Sequence, residues 1–245
     1  MRINNTPENH TENPSEHKYH IAFGKKPTGI KLNFKDLTFP EFAQLCSKPE
    51  QGEKHEDWVL RGGDVTHTEI HISSSGREYG PGYYRGNKYL SSADFLFIDG
   101  DSSIDDPESA PDPKLVHTAL KILGLNHFIY TSYSHTENKN KFRAVIPCSM
   151  VKSQIKPTAQ KIIDDLNKLE VPVKYVSEMG TWAQLWHLPT RDNPDDGLFE
   201  FYEYHDGKDY QSVDSFKQPQ SPAEKSGVAI TGGTWEEHYR SGPHH

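Results

Sequence analysis

The sequence predicts an α+β (mixed α/β) domain, and three observations carry that prediction. Short alternating segments interleave with two clear amphipathic helical segments. One continuous apolar run, Ala93-Asp94-Phe95-Leu96-Phe97-Ile98, has the composition of a central strand buried on both faces. Hydrophobic residues make up only 33%, yet the 11% aromatics and regular apolar clusters are too many for a disordered chain, so a packed core is expected.

In chain order, Tyr19 to Phe23 and Gly29 to Phe34 read as a hairpin of short strands, and Phe39 to Cys46 reads as a helix introduced by Pro40. His67 to Ser73 alternates polar and apolar. The run from Ala93 to Ile98 ends in the acidic tripeptide Asp99-Gly100-Asp101. Asp112-Pro113 caps a helix whose Leu115, Val116, Ala119, Leu120 and Leu123 share a face, and Gly124 stops it. His127 to Ser132 and Phe142 to Pro147 are two strands joined by a polar loop. Pro157 opens a second helix that runs to Leu169, with Ile155, Ile162, Ile163 and Leu166 apolar, and Leu198 to Tyr204 alternates again.

The ends differ in composition. Residues 1–17 are almost free of apolar side chains, and residues 211–245 carry the Pro and Gly content of a linker or tail, so the catalytic-size domain is placed at 18–210. No apolar run approaches the roughly 18 residues of a membrane span, and the N-terminus lacks the apolar segment of a signal peptide. These features predict a soluble, cytoplasmic protein. Cys46 and Cys148 make neither a disulfide framework nor a Cys-x-x-Cys zinc pair and read as buried thiols.

The net charge is −8, from 27 Lys+Arg against 35 Asp+Glu, so no global basic surface announces a nucleic-acid partner. The acid excess is local, however. Asp99 to Asp112 contributes −6 and Arg191 to Asp209 contributes −5, which leaves the rest of the chain at +3. With a Debye length of about 8 to 10 Å at physiological salt, the local field decides binding.

The sharpest chemical feature is Phe97-Ile98-Asp99-Gly100-Asp101. Carboxylates separated by one residue on a strand project to the same side, and such a pair is costly without a cation. A divalent ion with oxygen ligands relieves the repulsion, whereas Asp-Gly is equally a common turn dipeptide where a strand exits into solvent. A second feature is Ser134-His135 after a strand, followed by Lys141 and Arg143, which together compose a plausible phosphate site of charged and neutral donors. Tyr83-Tyr84-Arg85-Gly86-Asn87-Lys88 adds Arg85 and Lys88 with two aromatics that suit phosphates or bases, or else forms a solvated Gly-rich turn.

In this order, Asp99-Gly100-Asp101, Ser134-His135, Arg143 in Lys-Phe-Arg-Ala-Val-Ile-Pro, and Gln184-Leu185-Trp186-His187-Leu188-Pro189, the sequence resembles the archaeo-eukaryotic primase superfamily, nearest to the primase-polymerases of phages and plasmids. The resemblance spans Tyr83 to Thr190. It implies a catalytic core with an RRM-like sheet packed with an N-terminal α/β unit. It also implies a DNA primase/polymerase, a nucleotidyltransferase acting in phage or plasmid replication with Mg²⁺ or Mn²⁺ at a two-metal site. Asp99, Asp101 and a third acid would ligate the metal, and Ser134, His135, Lys141, Arg143, Arg85 and Lys88 would hold the nucleotide. Glu178 is the choice for the third acid, where the family pattern leads one to expect Asp, with Asp192, Asp195 and Asp196 as alternatives. The implied partners are a single-stranded DNA template, dNTPs or NTPs, and a replicative helicase, since the chain has no Walker loop.

Two other classes stay open. His67-Thr68-Glu69-Ile70-His71 suggests a metal-dependent nuclease or replication-initiator nickase, although neither a strand nor the His-Glu-x-x-His helix motif fits that spacing. A non-catalytic RRM-like nucleic-acid-binding module would explain the tyrosines and the basic loop but not the paired acids.

Overall fold

The computed structural model describes residues 17–25, 31–53, 57–73, 75–101 and 110–213. Contacts divide the chain into a compact unit, Met1–Ser215, and a C-terminal segment, Phe216–His245. Nearly all of the two expected tails lies outside the described residues, as does most of the acidic run after Asp101. The described chain is mixed α and β, with antiparallel sheets and few helices.

The first sheet forms from β1 (Lys18–Lys25), β2 (Asn33–Thr38), β4 (Asp57–Val59) and β12 (Trp186–His187) in the order β12-β4-β1-β2, all antiparallel. The expected hairpin is present with its second strand later than predicted, because β2 runs straight into the first helix. That helix, α1 (Phe39–Cys46), starts on Thr38, whose hydroxyl accepts from the Glu41 N–H while the Glu41 carboxylate accepts from the Thr38 N–H. The reciprocal capping box satisfies two otherwise unpaired donors and fixes the start of α1 at Phe39, with Pro40 in its first turn.

The second sheet holds β9 (Ala93–Asp101), β10 (His127–Thr131), β11 (Lys141–Met150) and β14 (Phe201–Tyr204), antiparallel in the order β14-β10-β11-β9. With α2 (Pro113–Ile122) after β9 and α3 (Ile155–Lys168) after β11, the succession is βαββαβ. Asp112 caps α2, and Gly124 at φ 65° ends it, with the Gly124 and Leu125 N–H groups returning to Lys121 and Leu120 carbonyls. Within α2, Val116, Ala119 and Leu120 are buried, but Leu115 faces solvent at 54% exposure, which removes it from the predicted apolar face.

The strand expected at the centre lies at the edge of its sheet. Phe95 and Phe97 point into a cluster with α1, Tyr19, Ile21, Val59 and Trp186, while Leu96 and Ile98 point into another with α2 and α3. Burial on both faces, which the apolar run did report, does not require neighbours on both edges. A 3₁₀ turn, Ser177–Gly180, packs near β9 instead.

The short strands β3 (Glu50–Gln51) and β13 (Thr190–Arg191) pair in parallel. The segment read as one alternating strand breaks into β5 (His67–Thr68) and β6 (His71–Ile72), which pair separately with β8 (Gly82–Tyr83) and β7 (Glu78–Tyr79). The Thr68 hydroxyl donates to the Ile70 carbonyl across the break. Both cysteines are free and buried, as expected, and burial pushes the Cys148 thiol up to about 12.

Candidate functional site

β9 stays extended through both acids because Gly100 lets the backbone pass beneath the Phe142 ring. A Cβ on Gly100 would fall inside that ring. The Asp-Gly dipeptide is therefore strand, not turn. Register then places Asp99 opposite Arg143 and Asp101 opposite Lys141, so four charged side chains leave the same face of the sheet.

Each acid meets a cation. Lys141 Nζ contacts the Asp101 carboxylate, and Arg143 Nε lies 3.4 Å from Asp99 Oδ1 without hydrogen-bond alignment. Arg143 Nη1 donates to the His187 carbonyl at 3.1 Å, and the Tyr130 hydroxyl donates to the same oxygen at 2.8 Å. The Asp99 side chain is 20% exposed. Burial raises its pKa above the ordinary carboxylate value, Arg143 and Lys141 pull it back, and Glu178 pushes it up again. Glu178 thus stands near enough to oppose the ionisation of Asp99.

Glu178 itself is exposed on the 3₁₀ turn, which is held from behind by Arg61. Arg61 is fully buried, and its Nη2 donates to the Glu178 and Met179 carbonyls at 3.1 and 2.7 Å. Its guanidinium lies 5.0 Å from the Trp186 ring, which stacks on Phe97. Arg61 Nε and Nη1 have no hydrogen-bond partner, and burial lowers its pKa to about 9. Sequence reasoning missed this residue. Its signal is a lone cation closing the apolar stretch Trp58-Val59-Leu60, where charge is rare.

His135 is buried in the loop after β10. Its Nδ1 accepts from the Lys141 N–H at 3.2 Å, which leaves the ring proton on Nε2, 4.0 Å from Glu200 Oε1. Burial lowers its pKa, so the ring is neutral near pH 7. The His135 carbonyl accepts from Arg191 Nη2 at 3.4 Å, another buried cation that sequence reasoning did not single out. Ser134 is half-buried beside it.

The remaining candidates fall elsewhere. Arg85 Nε donates to the Ala183 carbonyl, and Lys88 lies 4.8 Å from the Tyr89 ring. Of the alternative third acids, Asp196 takes two Arg191 donors at 2.6 and 2.7 Å, Asp192 engages Tyr133, and Asp195 is exposed. None of them is among the groups acting on Asp99. The two histidines of the nuclease reading separate: His67 faces Glu69 on the surface, and His71 is buried against the Tyr89 hydroxyl.

By chemistry, Asp99 suits a hard divalent cation, because a buried carboxyl whose charge is disfavoured gains from a further positive neighbour, and the exposed Asp101 adds a second carboxylate on the same face. Among the described residues, no group of three or more His, Cys, Asp or Glu is drawn close enough to hold an ion. Each acid of β9 faces one cation across the ladder with β11. In comparisons with known proteins, the chain matches no family model, no curated protein and no solved structure.

Proposed function

We propose that the chain is a primase-polymerase of the archaeo-eukaryotic primase type, joining nucleotides on a single-stranded DNA template with Mg²⁺ or Mn²⁺. One observation carries this reading: Asp99 and Asp101 leave one face of β9 opposite Arg143 and Lys141, with Glu178 close enough to raise the Asp99 pKa. Acids and cations so interleaved suit a metal–triphosphate complex, in which the acids take the metal and the cations take the phosphates. A binding module without catalysis would have no use for the buried acid.

Divalent ions held by Asp99 and Asp101, with Glu178 as third ligand, would neutralise triphosphate charge and make the attacking 3′-hydroxyl more acidic. Arg143 and Lys141, which pair with these carboxylates, would hold the phosphates. Neutral His135 donates through Nε2, with Ser134 beside it, while Arg85 and Lys88 extend the cationic side. Catalysis is mainly positioning and electrostatics, and no side-chain nucleophile is needed.

The βαββαβ succession supports an RRM-like core, with the first sheet and α1 as the N-terminal α/β unit. The strand order departs from the ferredoxin-like one, in which the first strand lies between the third and fourth; here it lies at the edge beside the third. Unwinding falls to a replicative helicase. No helix among the described residues is long and apolar enough to cross a membrane.

The test is incubation with single-stranded DNA, labelled dNTPs or NTPs, and Mg²⁺ or Mn²⁺, with and without a primer. Extended or primed products are expected, and Asp99→Ala should reduce them at least a hundredfold while the far-UV circular dichroism is unchanged. A fully active Asp99→Ala protein, or no incorporation by the wild type, overturns the reading.

A further inference from the structure

Away from the acids, a cavity of about 310 Å³ opens between the first sheet, α1 and the segment that follows β12. Its walls are apolar at Phe23, Leu45, Leu188 and Pro189. Two cations, Lys35 and Lys48, and two carboxylates, Glu50 and Asp57, also line it. Lys35 Nζ lies 5.2 Å from the centre of the Phe23 ring. The volume is at the lower end for a small-molecule site, enough for a single ring system.

The wall at Leu188–Thr190 belongs to a peptide that also serves the acidic site. Immediately before it, the His187 carbonyl takes the Arg143 and Tyr130 donors, and immediately after it Arg191 donates to the His135 carbonyl. Backbone bonds tie the same stretch to the cavity floor, with the Leu188 N–H on the Asp57 carbonyl and the Glu50 N–H on the Pro189 carbonyl.

We propose that this cavity receives one unstacked nucleobase of the single strand, which is a second nucleic-acid subsite on the chain. The apolar walls accept the face of a base, because every base has a π-surface that stacks on an aromatic ring. Lys35 and Lys48 meet the flanking phosphates. The exposed Glu50 carboxylate offers an acceptor to an exocyclic amino group, which favours cytosine or adenine over thymine. The biological meaning, template holding, rests on the primase-polymerase reading, but the binding itself does not need the metal or the acids.

The experiment is fluorescence anisotropy of the full chain with labelled oligo-dC, oligo-dA and oligo-dT in EDTA, with unlabelled dCMP as competitor. Leu45→Trp is the main variant, since Leu45 is 40% exposed and a larger ring there fills the cavity without disturbing the core. Lys35→Glu with Lys48→Glu is the second, and far-UV circular dichroism checks both. The expected result is a five- to hundredfold loss of oligo-dC affinity in Leu45→Trp, the range for losing one stacked base, and in the lysine variant a loss accompanied by a shallower salt dependence. Oligo-dT should bind more weakly to the wild type. Wild-type affinity in folded Leu45→Trp overturns the proposal, and so does dCMP binding tighter than the oligonucleotide, which would make a free nucleotide the ligand. The two readings fail separately: loss of incorporation in Asp99→Ala with unaltered oligonucleotide binding in Leu45→Trp sinks only the cavity. A wild type that binds through the cavity but never incorporates sinks only the polymerase.

Discussion

Burial makes the charged form of Asp99 costlier in the folded chain, and Arg143 and Lys141 offset part of that cost. The Asp99 pKa is raised in the folded chain, so the native state binds more protons than the unfolded one between the ordinary carboxylate value and the raised value, and stability falls as pH rises through that window. Asp99→Asn removes the buried charge and keeps the shape. It should raise the metal-free thermal midpoint by a few degrees, on the order of 1 kcal/mol, while abolishing incorporation. An unchanged or lower midpoint in scanning calorimetry would mean that the Arg143 and Lys141 pairings outweigh the burial. The neighbouring glycine makes the opposite prediction. Gly100→Ala forces a methyl into the fully buried Phe142 ring and should cost about 1–3 kcal/mol in urea unfolding. The two acids and the Ser134-His135 pair were legible as residue types in sequence. Their ion-pair partners were not, because Lys141 and Arg143 reach Asp101 and Asp99 only through the register of β11 on β9.

At the scale of elements, local signals read best where one residue decides the geometry. Pro40 marked the start of α1, and Asp112 with Gly124 brackets α2, whereas the Thr38–Glu41 capping box was not singled out in the sequence. Thr38→Ala should destabilise the chain by about 0.5–2 kcal/mol in thermal or urea unfolding. Glu41 has a lowered pKa, from its bonds to Thr38 first, so its contribution is present above the ordinary Glu value and is lost as pH falls through the lowered one. Strands were less legible. The alternation at His67 to Ser73 has the correct period, but alternation reports a two-sided environment and not a continuous ladder, and the chain breaks at Glu69-Ile70 to pair with two different partners. The same limit placed β9 at the centre. Nothing in an apolar run says whether its second edge meets a strand or a turn such as Ser177–Gly180.

Across the whole molecule, the charge distribution predicts how the chain holds a strand. The two cations opposite the acids of β9, Lys141 and Arg143, are engaged with the carboxylates of Asp101 and Asp99. Binding of a single-stranded oligonucleotide in EDTA should therefore depend weakly on salt, with a slope of log K on log[salt] of about −1 to −3, as for two to four phosphate contacts. A slope beyond about −5 would overturn this expectation, since it requires an extended run of phosphate contacts.

The sequence by itself determined the class of the fold, the starts of α1 and α2, the burial of the thiols and the chemical types at the candidate site, because these follow from periodicity, caps and side-chain chemistry within a few residues; α3 starts at Ile155, two residues before the Pro157 expected to open it. Tertiary structure alone decided that β9 is an edge strand and that Arg61 supports the turn bearing Glu178. It also decided that Arg191 takes Asp196 away from the metal alternatives, and that a base-sized cavity shares a wall with the acids. Apart from Arg191 and Asp196, which are five residues apart, these are meetings of residues far apart in sequence, set by strand register and packing that no local window encodes.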